Sequence, residues 1–271
     1  MPCVVPLKAK NMHAPEYDTL RAVEDRHWWY AVLRGLVLRA LSGRLPPRGH
    51  LLDAGCGTGG MLDFLRWHIR HLDVEGVDAS QQAVRHCQQR GLSTVREGSV
   101  HELPFDDGDF DAVLSLDVLY HAGVDEERAL AEMSRVLGPG GLLVLNLPAF
   151  ECLRGSHDAA VCGVRRYRAC QVRSLLERHS LHVEMIHHWN AWLFLPLLIW
   201  RRWSRLGLKQ GMETVSDVRL PPAWLNRLLK CTGRLDAGLC RMLRLPFGSS
   251  VFAVARKVNH QQGGQHHGAG R

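Results

Sequence analysis

The feature that most narrows the fold is a glycine-rich turn, Asp53-Ala54-Gly55-Cys56-Gly57-Thr58-Gly59-Gly60, joining an apolar stretch to a helical pattern. Residues 50–54, ahead of it, read as a short strand. Residues 60–70, behind it, put Met61, Leu62, Leu65 and Ile69 on one helix face. Glycines at such a junction let a ligand approach the backbone, with helix N–H groups pointing at it. From here strand-like and helix-like stretches alternate. Strands are expected at 74–77, 94–97, 110–116, 142–147, 181–187 and 250–255. Helices are expected at 81–90 behind Ser80, from Asp125 to Leu137, and at 169–179, with Pro139-Gly140-Gly141 breaking the second. This order implies an α/β fold with a doubly wound, mainly parallel sheet.

The turn alone leaves its ligand open. Gly55, Gly57 and Gly60 satisfy the GxGxxG spacing of dinucleotide sites. Asp53, at the strand end, would repel a pyrophosphate and favour a ligand carrying an ammonium or sulfonium. Asp78, 19 residues after Gly59, stands at the end of the second strand, where a carboxylate can accept both ribose hydroxyls. The plainer reading is a turn that merely needs glycine, with Asp78 in a loop.

These stretches resemble the class I S-adenosylmethionine-dependent methyltransferases, in the type 11 small-molecule branch. The matching segments are LLDAGCGTGGML (51–62), VEGVDAS (74–80), LPFDDGDFDAVLSLDVLYH (103–121) and ALAEMSRVLGPGGLLVLNLP (129–148). The resemblance implies a Rossmann-like methyltransferase fold with seven strands, the last antiparallel, and S-adenosyl-L-methionine as cofactor. It places Asp53, Gly55, Cys56, Gly57 and Gly59 at the methionine end and Asp78 on the ribose. Ala79 would lie beside the adenine, and Leu116 and Asp117 would close the site. Family members carry an aspartate after the third strand. Here Gly98-Ser99-Val100 stands in that place, and Ser99 offers an uncharged acceptor. Methyl transfer asks mainly for alignment and exclusion of water. A base is needed only for a hydroxyl or protonated amine. His121, after the fourth strand, suits that role by type and place; equally it reads as a packing or capping histidine.

Two further stretches resemble a bacterial subgroup with a HWW entry motif and an HD…RRY loop. His27, Trp28, Trp29 and Tyr30 lie ahead of the first strand, and Tyr120 follows the fourth. His157 and Asp158, with Arg165, Arg166 and Tyr167, follow the fifth strand. The resemblance assigns them to the acceptor side, with His157 a second candidate base; simple core packing and a salt-bridged loop are the alternatives. The subgroup points to a small-molecule, lipid-linked, saccharide or polyketide acceptor.

Charge adds a separate clue. The chain of 271 residues carries a formal net charge of +7. All of that excess falls in residues 189–247, which hold ten Arg and Lys against Glu213, Asp217 and Asp236. Five of the eight tryptophans lie there too, including Trp200-Arg201-Arg202-Trp203. The resemblance implies a helical cap at residues 1–49 and a methyltransferase core at 50–188 with 248–258. Residues 189–247 would be a helical insertion before the last strand, a lid or surface-binding unit, with 222–245 amphipathic and broken at Gly233 and Gly238. Tryptophan mixed with arginine suits an anionic membrane surface or an acidic or aromatic acceptor; the plainer reading is an apolar helical pair packed on the sheet with solvated arginines outside, and no nucleic-acid motif is evident. The longest apolar run, 193–200, is far short of a bilayer span. Eight scattered cysteines without a CxxC pair suggest a reduced, cytoplasmic chain with no metal site, and the Trp- and Arg-rich insertion would allow contact with the inner membrane face. The Gly-, Gln- and His-rich residues 259–271 read as a disordered tail. The alternative function is a catalytically inactive binding or scaffold protein on the same fold. Nothing in the chain reads out its oligomeric state.

Overall fold

The computed structural model describes residues 14–155, 158, 161–205 and 219–258. His157 and residues 259–271 lie outside them. Seven strands form one sheet: β1 (His50–Ala54), β2 (Asp73–Asp78), β3 (Val95–Glu97), β4 (Phe110–Leu116), β5 (Leu137–Pro148), β6 (Leu181–Trp189) and β7 (Ser250–Lys257). Their order is β3-β2-β1-β4-β5-β7-β6. β1 pairs in parallel with β2 and β4, β2 with β3, and β4 with β5; β7 runs antiparallel between β5 and β6. The first six strands therefore share one C-terminal edge. Chain order reverses between β1 and β4, the switch point at which doubly wound sheets open a crevice.

The helices are α1 (Ala14–Val23), α2 (Trp28–Leu41), α3 (Gly60–His68), α4 (Gln81–Gln89), α5 (Glu126–Val136), α6 (Ala169–Arg178), α7 (Ala191–Arg205) and α8 (Ala223–Leu243). Local chemistry sets their starts. Asp125 accepts hydrogen bonds from the Glu127 and Arg128 amides at α5, and Ser80 from the Ala83 amide at α4. β5 shows why its centre is continuously apolar. Leu143, Leu145 and Leu147 pack with Leu130 and Met133 of α5 and Leu176 of α6, while Leu142 and Val144 pack with Val37 of α2 and Leu62 of α3. A strand covered on both faces must be apolar on both. Each such buried side chain contributes about 1.5–3 kcal/mol of burial energy.

Two sequence expectations change. Pro139-Gly140-Gly141 ends α5 but does not delay the strand. β5 begins at Leu137, and the glycines form a bulge over which pairing jumps from Phe110–Leu137 to Ala112–Leu142. Nor does α8 break at Gly233 or Gly238. It is one helix of 21 residues. Gly233 is buried against α2, where a Cβ would stand 2.9 Å from Val32 Cγ2. Glycine here permits close helix approach rather than a break. α7 and α8 occupy the stretch between β6 and β7, and α7 continues through Pro196.

Candidate cofactor and acceptor site

The turn after β1 is built for close approach. Gly55 has φ +94°, and a Cβ on it would stand 2.3 Å from Val118 Cγ2. Gly59, at φ +80°, starts α3 in the left-handed region. The Gly55 amide donates to Val77 O at 2.8 Å, tying the turn to β2. That brings Asp78 against it: the Gly57 amide donates to Asp78 Oδ2 and the Ser80 amide to Oδ1, each at 2.9 Å. Asp53 and Asp78 thus flank one turn, as their positions in the sequence suggest.

Asp53 is 2% exposed, and its Oδ1 has no hydrogen-bond partner among the described residues. Burial pushes its pKa up to about 8, helped by the nearby charges of Asp78 and Glu24. An orphaned buried carboxyl beside two other acids suits a cationic ligand group. Asp78 is also raised by burial, against the amide hydrogen bonds that lower it. The two amide donors and the Tyr17 hydroxyl leave acceptor capacity on the carboxylate. These groups fit S-adenosylmethionine, the cofactor that the resemblance implies. Cys56 and Val100 are buried, Leu116 is half-buried, and Ala79 and Ser99 are exposed. The Ser99 hydroxyl engages His101.

The helix that covers the turn, α1, lies within the helical cap expected at residues 1–49, and it brings in contacts that sequence reading did not name. The Tyr17 hydroxyl of α1 donates to Asp78 Oδ1 at 3.4 Å. Glu24, 6% exposed, accepts from the Thr58 hydroxyl and from Arg90. No local pattern flags either residue, because both partners are remote in sequence.

The candidate acceptor side lies at the ends of β4, β5 and β6. The backbones of Asp117, Phe150 and Asn190 all have φ between +55° and +58° there. Non-glycine residues held in this region often mark functional sites. Trp189 Nε1 donates to Asn146 Oδ1, and Asn146 Nδ2 donates to Asp117 Oδ2, each at 2.9 Å. Burial pushes the Asp117 pKa up to about 7, against the lowering effects of the Asn146 hydrogen bond and the Arg166 charge. Trp29 stacks on Trp189 at 5.5 Å, and Tyr30 meets Trp29 edge-on at 5.0 Å. The buried amide of Asn190 and the Trp192 indole N–H have no protein partner among the described residues.

Other acceptor-side residues serve different ends. Trp28 is buried between α2 and α8, beside Trp192 and Gly233, so it packs the core. His27 caps α2 by accepting from the Trp29 amide. Asp158 and Arg166 form a bidentate ion pair at 2.9 and 3.1 Å, and the Tyr167 hydroxyl donates to Glu126 Oε2 at 2.6 Å. This is the salt-bridged loop, with Tyr120 packed against its Gly163. His121 differs from a free base. Its Nδ1 hydrogen-bonds to Val161 O at 2.7 Å. Burial lowers its pKa. The ring braces the loop through its Nδ1 contact with the Val161 carbonyl.

Comparison with known proteins agrees with this geometry. The family model described as Methyltransferase domain matches residues 52–145. The chain is 36% identical over 212 residues to dimethylglycine N-methyltransferase from Parasynechococcus marenigrum, covering 73% of this chain and 70% of that protein. It is 38% identical over 95 residues to phthiotriol/phenolphthiotriol dimycocerosates methyltransferase from Mycobacterium tuberculosis, covering 34% of each. Against several curated relatives that it matches, the chain spans about a third of their length. A geranyl diphosphate methyltransferase solved in complex with S-adenosylmethionine shares the fold, with TM-score 0.56 and 19% identity over 84% of this chain and 86% of that one. The chain belongs to the S-adenosylmethionine-dependent methyltransferases, a family of enzymes with that cofactor.

Proposed function

We propose that this chain transfers a methyl group to a small-molecule or lipid-linked acceptor presented at the C-terminal edge of β4, β5 and β6. When bound, S-adenosylmethionine supplies an activated methyl group open to in-line displacement. The observation that carries the reading is Asp53: a buried carboxyl with an orphaned oxygen, beside a glycine turn that Asp78 anchors. Asp53 would hold the cationic end of the cofactor and Asp78 its ribose. Val118 and Leu20, near the turn, exclude water from it.

Asp117 is the group placed to accept the acceptor's proton. Its carboxylate is oriented by Asn146, which Trp189 holds in turn. A carboxyl with a pKa near 7 is half ionised at neutral pH, so it can take a proton and return it. Trp29 and Tyr30 offer ring faces suited to an amine, isoprenoid or polyketide acceptor. Relatives named for dimethylglycine and for phthiotriol dimycocerosates support a small-molecule or lipid-like acceptor.

Calorimetry with S-adenosylhomocysteine, then release of that product in the presence of lipid and aqueous metabolite extracts, tests the reading. Binding with extract-dependent turnover is expected. A folded protein that binds no S-adenosylhomocysteine would be a binding or scaffold module instead.

A further inference from the structure

We propose that the outer face of α8 is a docking surface for an anionic lipid bilayer. The inference is independent of the reaction assigned above. α8 uses one narrow face for packing: Gly233, Ala237 and Cys240 are buried, and Asn226 and Leu229 partly so. The opposite face is also apolar. Trp224, Leu228, Leu235, Leu239 and Met242 form a stripe at helical spacing, with exposures of 49 to 77%. A helix apolar on both faces has a second surface to cover.

Charge decides what covers it. Arg227, Arg234 and Arg241 recur every seven residues and run along one flank of the stripe, all exposed. Asp236 is the one acid of residues 223–243, and it accepts hydrogen bonds from the Ala191 and Trp192 amides at the start of α7. No acid of α8 therefore answers the arginine row.

A second copy of this helix is a poor occupant. Paired through the stripe, an antiparallel copy would set arginine row against arginine row. A parallel copy would set Arg227 against Thr232 and Arg234 against Leu239, with no acid in reach. A bilayer with anionic headgroups answers both features. Arginines extend to the phosphate plane, and tryptophan with the aliphatic residues enters the acyl boundary. α7 presents a further exposed apolar set, Leu195, Ile199, Trp200 and Trp203, with Arg202 exposed beside it. Among the described residues no helix is long and apolar enough to cross a membrane, so contact would be by lying on the surface.

The test is flotation with vesicles of phosphatidylcholine alone and of phosphatidylcholine mixed with phosphatidylglycerol. The full chain should float with the mixed vesicles, not with phosphatidylcholine alone, and release at high salt. R227Q/R234Q/R241Q should bind about a hundredfold more weakly, since each basic residue near such a surface contributes about fivefold. Leu235→Ser should also weaken binding, and the tryptophan emission should shift to the blue on binding, by less in Trp224→Phe. Unchanged far-UV circular dichroism confirms that these exposed substitutions leave the fold intact. Equal flotation with both vesicle types, or retention of binding by the triple variant, overturns the proposal. So does concentration-dependent self-association abolished by Leu235→Ser, which would assign the stripe to a second copy. Capture of an acidic protein without any flotation would assign it to a protein partner.

Discussion

At the scale of residues, the acids of the site carry different assignments and give separable predictions. Asp53 has a folded-state pKa of about 8 against an ordinary 3.8. The raised value means that folding favours the protonated form. Its contribution to stability is greatest at low pH and is lost progressively as pH rises from about 4 to 8. Asp53→Asn should therefore raise the melting temperature at pH 8 by several degrees and flatten its fall with pH, measured by calorimetry. The cofactor's ammonium selects the ionised acid, so affinity for S-adenosylhomocysteine should weaken as pH drops below about 8 in the wild type. A wild-type affinity that stays constant across this range would remove Asp53 from the site. Asp117→Asn tests the proton acceptor. Turnover should drop by about 10²–10⁴-fold while the dissociation constant for S-adenosylhomocysteine stays within a fewfold. Equal loss of both would place Asp117 in cofactor binding alone. Asp53 and Asp78 were legible because short spacings to the turn define them. Asp117's role was not, since it depends on Asn146 and Trp189, which neighbour it only across the sheet.

At the scale of elements, α8 separates two glycines that look alike in sequence. Gly233 sits where a Cβ would press on Val32 and Trp28, whereas Gly238 has nothing within 4 Å. Gly238→Ala should stabilise the protein by about 0.5–1 kcal/mol through helix propensity. Gly233→Ala should destabilise it by about 1–3 kcal/mol, because α2 and α8 must move apart. Chemical denaturation of both variants checks the pair; the same sign for each would contradict the close packing. The sequence reading treated both as breakers because glycine lowers helix propensity wherever it stands. Only the position of α2 distinguishes them. The bulge at 138–141 has the same origin: composition marked an interruption, and pairing with β4 turned it into a detour within one strand.

At the scale of the whole molecule, the region between β6 and β7 shapes acid stability as well as surface chemistry. His187 lies at the end of β6, beneath α8, with both ring nitrogens unpartnered among the described residues. Burial lowers its pKa to about 4, and the charges of Arg241 and His188 add to the effect. A lowered histidine pKa means that stability is fully present above about 6.5 and is lost as pH falls toward 4. His187→Leu should reduce the acid sensitivity of the melting temperature in that window. If the wild type and the variant fall in parallel between pH 6.5 and 4, His187 does not carry it.

The amino-acid sequence alone determined the alternation of strands and helices, the glycine turn and the acids beside it. It also confined the positive charge to residues 189–247. These depend on contacts close along the chain, or on simple addition, so a linear reading reaches them. The tertiary structure decided which histidine is engaged, which tryptophan packs the core and which glycine allows close approach. It also turned one amphipathic segment into a helix with two apolar faces. Those outcomes rest on partners distant in sequence: Val161 lies 40 residues from His121, and Asn226 lies 198 from Trp28. Side-chain burial and hydrogen bonding across such separations are fixed by packing, which no local pattern contains.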